Sequence, residues 1–162
     1  MSGRELVVRV ADLGIGEAND TLLTVGLGSC VAIVLHDPEA RVGGLAHVLL
    51  PSPALARDDG KPARFPQSAV SRMLQLMRDK GAQPRRITGR LAGGASMFAA
   101  LAPPGVVQMG ERNLVASRHA LMAHNVPLVG EAVGGDFGRT VRLRVSDGLV
   151  EVSTVAHGVQ HL

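Results

Sequence analysis

Residues 30–36 read CVAIVLH and residues 42–50 read VGGLAHVLL. Both are apolar runs without the polar alternation of a strand that turns one face to water. Each therefore predicts a strand buried on both faces, and a fold must supply cover on either side of it. The DPEA between them (37–40) places Asp first and Pro second, the chemistry of a tight turn. The expected arrangement is an antiparallel pair, with Gly43 and Gly44 marking a bulge in the second strand.

The remaining elements fall around this pair. ELVVRV (5–10) and TLLTV (21–25) read as strands, GIGEAND (14–20) as a turn-rich loop, and GLGS (26–29) as a turn. Residues 51–64 carry three prolines, a glycine and several charges and read as an exposed loop. PQSAVSRMLQLMRDKG (66–81) is a helix whose Ala69, Val70, Met73, Leu74 and Met77 form one apolar stripe. RRITGRLAG (85–93) predicts a short strand running into GGASMFAAL (93–101), whose Met97 and Phe98 read as core. GERNLVASRHALMAHN (110–125) predicts a second helix with Leu114, Arg118, Leu121 and Met122 along one side. VPLVGEAVGG (126–135) is strand-like, and RTVRLRVSDGLVEVSTV (139–155) is a hairpin turning at Asp147-Gly148. Arg139, Arg142 and Arg144 read as a solvated strand face. About eight strands carry the core and two helices cover a face, which is α/β or α+β, mostly antiparallel. The length of 162 residues fits one domain, 1–162.

Composition excludes several classes of function. Runs such as Val31–Leu35 fall far short of the ~20 apolar residues of a membrane-spanning helix, and MSGRELVVRVAD has no signal-peptide core. Neither Trp nor Tyr occurs and only three Phe, so a stacking platform for nucleic acid is not expected. The formal net charge is +3, with charges scattered along the chain. One cysteine leaves no disulfide framework and no thiolate cluster for zinc, and the reducing cytoplasm is the expected compartment. The six histidines show no zinc-like spacing. His119 and His124 are offset from a common helix face, and His157 and His161 lie in an exposed tail. GLGSCV lacks the third glycine of a dinucleotide fingerprint and leads into a strand, where that motif opens a helix. No metal and no cofactor is expected.

The single cysteine, Cys30, follows the glycine-rich turn. If residues 37–40 form the turn, Cys30 stands directly opposite His47, with Cβ atoms ~4.5–5.5 Å apart. A thiol and an imidazole so placed can act as nucleophile and base. A neighbouring histidine can also lower the thiol pKa below neutrality. The backbone N–H groups of Ser29 and Cys30 are candidates for an oxyanion site. Thr24, on the preceding strand, is a candidate third group because its hydroxyl donates and accepts. Against this stands packing: a free cysteine and a histidine in apolar runs often serve only the core. For Gly93 and Gly94 a cleft wall and a tight connection are both open. Asn113 reads as a capping or local hydrogen-bonding residue, and Arg112 as a substrate contact or part of a helix start.

LGSCVAIVLHDP, VGGLAHVLLP, AGGASMF (92–98), GERN (110–113) and GGDFGRTVRLRVSDGLVEV (134–152), in that order, resemble the CheD family of chemoreceptor glutamine deamidases. The resemblance spans residues 5–155. It implies a layered α-β-β sandwich with two main helices, similar to the catalytic domains of deamidating toxins. It also implies Cys30 as nucleophile, His47 as base and acid, Thr24 as supporting hydroxyl, and Gly28, Gly93 and Gly94 as substrate-binding positions. The implied reaction hydrolyses a glutamine side-chain amide of a chemoreceptor cytoplasmic domain to glutamate and ammonia. The implied further partner is the CheC phosphatase. RFPQSAV (64–70) departs from the family's tyrosine-alanine-aspartate-like element, with Phe65-Pro66 in its place. Two other readings stay open: a non-catalytic adaptor that binds receptors or CheC, and a cysteine hydrolase of peptides or small amides.

Overall fold

The computed structural model describes residues 3–55 and 60–162. Ten strands and two helices follow one another as β1 (Glu5–Val7), β2 (Leu13–Glu17), β3 (Thr21–Leu27), β4 (Val31–Asp37), β5 (Val42–Val48), α1 (Pro66–Asp79), β6 (Thr88–Gly93), α2 (Met109–Ala123), β7 (Leu128–Val133), β8 (Arg139–Arg144), β9 (Leu149–Thr154) and β10 (Gly158–His161). The strands form two five-stranded sheets, ordered β2-β5-β4-β6-β7 and β1-β3-β8-β9-β10. The fold is α+β, in three layers: the helices, the β4-centred sheet, then the second sheet.

The central pair explains the layering. Every residue of β4 and β5 is buried. Val31, Ile33 and Leu35 join the core under α1 and α2, while Ala32 and Val34 join the core between the sheets. A period of two thus sends alternate side chains into two different cores. The stripe of α1 packs as its spacing predicts, and Pro66 occupies the first turn, where a missing N–H costs nothing.

Several expectations are corrected. Residues 14–20 were expected to be a loop; 13–17 form β2, paired along its length with β5. Its glycines mark close approach between layers, since a Cβ at Gly14 would lie 3.1 Å from Val8 and one at Gly16 3.1 Å from Val145. Gly43 and Gly44 form no bulge, because β5 stays in register with both neighbours. A Cβ at Gly43 would meet Leu143 at 2.8 Å, and one at Gly44 would meet Met73 at 3.1 Å. One glycine therefore admits the second sheet and the other admits α1.

The inward face of α2 is Gly110, Asn113, Leu114, Ser117, Ala120 and Leu121. Met122 is exposed, and Arg118 pairs with Glu131 at 3.0 Å. Arg139 is buried with its guanidinium on the Gly134 carbonyl, whereas Arg142 and Arg144 make exposed ion pairs. Met97 and Phe98 are not core; Phe98 is 73% exposed. The tail adds β10, unforeseen in the sequence, which pairs with β9 and leaves His157 and His161 exposed. The loop at 51–64 holds one-turn helices at Pro53–Leu55 and Pro62–Arg64, and its residues 56–59 lie outside the described residues.

Candidate active site

The turn between β4 and β5 is residues 38–41, because Asp37 pairs with Val42. Asp37 belongs to the ladder; its buried carboxylate accepts the N–H groups of Glu39, Ala40 and Gln83 and is paired with Arg86 at 3.1 Å. Arg41 takes φ +53° to close the turn. His47 therefore stands opposite Ala32, and the expected direct opposition of Cys30 and His47 is corrected to a diagonal relation. The shift is two residues, which preserves the face. Diagonal neighbours lie about 7–8 Å apart at Cα, within reach of longer side chains. Cys30 and His47 both turn to the space between the sheets, where Thr24 of β3 meets His47.

The hydrogen bonds determine the tautomer of His47. Thr24 Oγ1 lies 2.6 Å from the Val8 carbonyl and 2.7 Å from His47 Nδ1. A hydroxyl has one hydrogen, and a carbonyl can only accept. Thr24 therefore donates to Val8 and accepts from Nδ1–H. In the neutral ring Nε2 then carries the lone pair, and this buried atom has no hydrogen-bond partner. Burial lowers the His47 pKa below its ordinary 6.5. Burial also raises the Cys30 thiol above its ordinary 9.0, an effect that its own backbone N–H only partly opposes. Burial thus disfavours the charged form of both groups, and for the thiol it acts against the expected lowering.

The loop around Cys30 is fastened through three successive carbonyls. Gly28 accepts the Ala95 N–H at 2.9 Å, Ser29 accepts Asn113 Nδ2 at 2.9 Å, and Cys30 accepts the Gly94 N–H at 2.8 Å. Among the described residues, no backbone carbonyl accepts the N–H of Ser29 or of Cys30. Gly93 has φ +103°, and a Cβ there would lie 2.4 Å from the Cys30 oxygen; Gly94 has φ +67° and seats Leu114. These two glycines are a tight connection under the cysteine. Gly28 faces Met97, at 3.1 Å from the position of a Cβ.

A cleft of about 260 Å³ adjoins the Cys30 loop, lined by Ser29, Ser96, Met97, Phe98, Gln108 and Met109 among others. Larger hollows of about 460 and 500 Å³ lie elsewhere. The other histidines are not drawn to the site: His36 Nε2–H donates to the Val145 carbonyl at 2.8 Å, and His124 Nδ1–H to Ala120 at 2.9 Å. Among the described residues no group of three His, Cys, Asp or Glu side chains could hold a metal ion, and no helix is long and apolar enough to cross a membrane. Sequence reasoning missed the long reach of Asn113, which also donates to the Leu49 carbonyl at 3.1 Å. A polar side chain on the inward stripe of α2 was the available signal. The Val8 carbonyl, a backbone group, had none.

The geometry defines an α+β protein with a thiol, an imidazole and a hydroxyl enclosed between two sheets. Comparison with known proteins is specific. The family model for CheD, chemotactic sensory transduction, matches residues 49–154. A Caldanaerobacter subterraneus protein named probable chemoreceptor glutamine deamidase CheD is 37% identical over 162 residues, covering 100% of both chains. The Clostridium tetani protein of that name is 39% identical over 100% of this chain and 98% of its own, and the Geobacter metallireducens CheD 2 is 39% identical over 95% and 99%. A solved DUF152-family protein from Neisseria meningitidis superposes with a TM-score of 0.49 at 13% identity, over 85% of this chain and 65% of its own. This chain belongs to the CheD family.

Proposed function

We propose that this protein is a cysteine-dependent glutamine deamidase acting on the cytoplasmic domain of chemoreceptors. The names of its relatives support the reaction and the receptor substrate. The observation that carries the mechanism is the Val8–Thr24–His47 chain, which leaves the lone pair of Nε2 buried and unpartnered on the face that also bears Cys30.

Cys30 Sγ attacks the side-chain carbonyl carbon of a glutamine while His47 Nε2 takes the thiol proton. The carbonyl electron pair moves onto oxygen, and the N–H groups of Ser29 and Cys30 face the resulting oxyanion. Imidazolium Nε2–H then gives its proton to the amide nitrogen, the C–N bond breaks and ammonia leaves. Water, deprotonated by His47, attacks the thioester; the C–S bond breaks and the thiol recovers its proton. The product is glutamate, and the sum is amide plus water giving acid plus ammonia. Burial that disfavours both charged forms suits this sequence, since each proton transfer occurs as charge develops. Thr24 holds the tautomer throughout. The cleft beside Ser29 would take the segment around the glutamine, with Gly28 at its Met97 wall.

The test is peptide mass spectrometry of a receptor cytoplasmic domain incubated with wild type, Cys30→Ala or His47→Ala. A glutamine-to-glutamate shift with wild type alone supports the reading. A shift with Cys30→Ala overturns the mechanism. A second reading, an adaptor docking the receptor or the CheC phosphatase, is favoured by one observation: Phe98 of the cleft wall and Leu101, Val106 and Val107 of the same loop are exposed. Receptor binding without a mass shift from any variant would support it.

A further inference from the structure

We propose that Asn113 is a positioning residue for the reaction: the two hydrogens of its carboxamide hold the cysteine segment and the histidine segment together. The inference rests on the cysteine–histidine reading above.

The ladder between β4 and β5 has its last pair at Val31 and Val48. Cys30 and its loop lie just past that end on one strand, and Leu49 lies just past it on the other. Asn113 Nδ2 donates to Ser29 at 2.9 Å and to Leu49 at 3.1 Å. One side chain from the helical layer thus joins the two strands where their own ladder has stopped. The residue on one side precedes the nucleophile, and the residue on the other is two beyond the base. Both partners are carbonyls, so the carboxamide nitrogen must face them, and the orientation of the side chain is fixed.

Two further features argue for a site held for its donors. Asn113 is fully buried, yet its Oδ1 has no hydrogen-bond partner. A buried acceptor left unpaired is costly, and an apolar side chain would fill the space without that cost. In addition α2 is seated unusually close: a Cβ at Gly110 would lie 2.3 Å from the Ala95 carbonyl oxygen. That approach brings the start of the helix onto the loop, within reach of so short a side chain. Among the described residues, of the three carbonyls pinned at 28–30 only that of Ser29 is held by a side chain. Loss of Asn113 therefore releases the Ser29 carbonyl and the tie to Leu49 without removing any group that touches substrate.

The test compares wild type, Asn113→Ala and His47→Ala with Met77→Ala, a control for stability in the core under α1. Two quantities are read in each: receptor deamidation kinetics, and the pH dependence of Cys30 alkylation by iodoacetamide. The expected result for Asn113→Ala is a fall in kcat of roughly hundredfold, the scale of a misplaced reacting group. KM should stay within about threefold, and the alkylation profile should approach that of His47→Ala. Asn113→Gln, which keeps the donors on a longer arm, should fall between wild type and Asn113→Ala, and it carries the test if the alanine variant does not fold. Asn113→Ala behaving like Met77→Ala, with lowered stability but an unchanged kcat and alkylation profile, would overturn the proposal. So would a wild-type alkylation profile identical to that of His47→Ala. If wild type deamidates no receptor while the alkylation profiles still separate as expected, the positioning role stands and the deamidase reading falls.

Discussion

Thr24 accepts the Nδ1–H of His47 at 2.7 Å and passes its own hydrogen to the Val8 carbonyl. The pair sits across two sheets, β3 in one and β5 in the other, so the packing of the sheets sets which nitrogen of the imidazole carries the hydrogen. Thr24→Val keeps the volume and removes the hydroxyl, leaving Nδ1–H and the Val8 carbonyl unpaired. The expected outcome is a kcat lowered by roughly hundredfold, within the contribution of a positioned acid–base group. The unpaired groups should also lower stability by about 1–3 kcal/mol. Thr24→Ser should recover most of both. Steady-state deamidation and urea unfolding of the two variants check this; equal loss in both would remove the hydroxyl from the account.

The pH dependence follows from burial. His47 has a folded pKa below 6.5, so the imidazole stays neutral below the pH at which an exposed one gains its proton. The acid limb of kcat/KM should therefore have its midpoint below 6.5. The same shift has a sign for stability. Between the folded pKa and 6.5 the unfolded chain binds the proton and the folded chain does not, so stability falls as pH falls through that window. Cys30 acts at the other end: its folded pKa lies above 9.0, so stability declines as pH rises beyond 9.0. His47→Ala should abolish the first effect and leave the second, measured by thermal unfolding across pH.

The central strands and both helices were legible because their signals are local: apolar runs and a helical stripe. The face shared by Cys30 and His47 survived an error in the turn only because the error was even; a slip of one residue would have separated them. What the sequence hid were contacts between layers. Gly14, Gly16, Gly43 and Gly44 read as turn or bulge signals, yet each is a strand position where another layer presses close. Asn113 reads as a local residue, yet both of its bonds run to distant segments just past the ends of β4 and β5. Arg139 follows the alternation of β8 inward, against the ordinary preference of arginine for water.

Asp37 supplies a stability prediction remote from the chemistry. Burial pushes its carboxyl up, but the Arg86 guanidinium and the N–H groups of Gln83, Ala40 and Glu39 outweigh this and hold it below its usual value. Asp37→Ala strands those three N–H groups around the β4–β5 turn. The expected loss is about 2 kcal/mol or more, with kcat per folded molecule unchanged because the turn lies at the far end of the strands from Cys30. The carboxylate contribution is present above 3.8 and is lost as pH falls through the lowered folded pKa. Chemical denaturation at neutral and acid pH checks both statements; at low pH the gap between wild type and variant should narrow.

Two glycines with positive φ separate strain from crowding. Gly26 has φ +74° with open space where a Cβ would sit, so Gly26→Ala meets only backbone strain, about 1–2 kcal/mol. Gly93 has φ +103°, and its Cβ would stand 2.4 Å from the Cys30 oxygen, with the Leu27 side chain at 3.5 Å. That oxygen accepts the Gly94 N–H at 2.8 Å, so the added methyl cannot be seated without displacing the cysteine segment from β6. Gly26→Ala should therefore fold with a modestly lowered Tm and near-normal kcat. Gly93→Ala should either fail to fold or fold with an alkylation rate and kcat both far from wild type. A Gly93→Ala protein that is merely as destabilised as Gly26→Ala, with normal activity, would show that the β6 end does not set the position of Cys30.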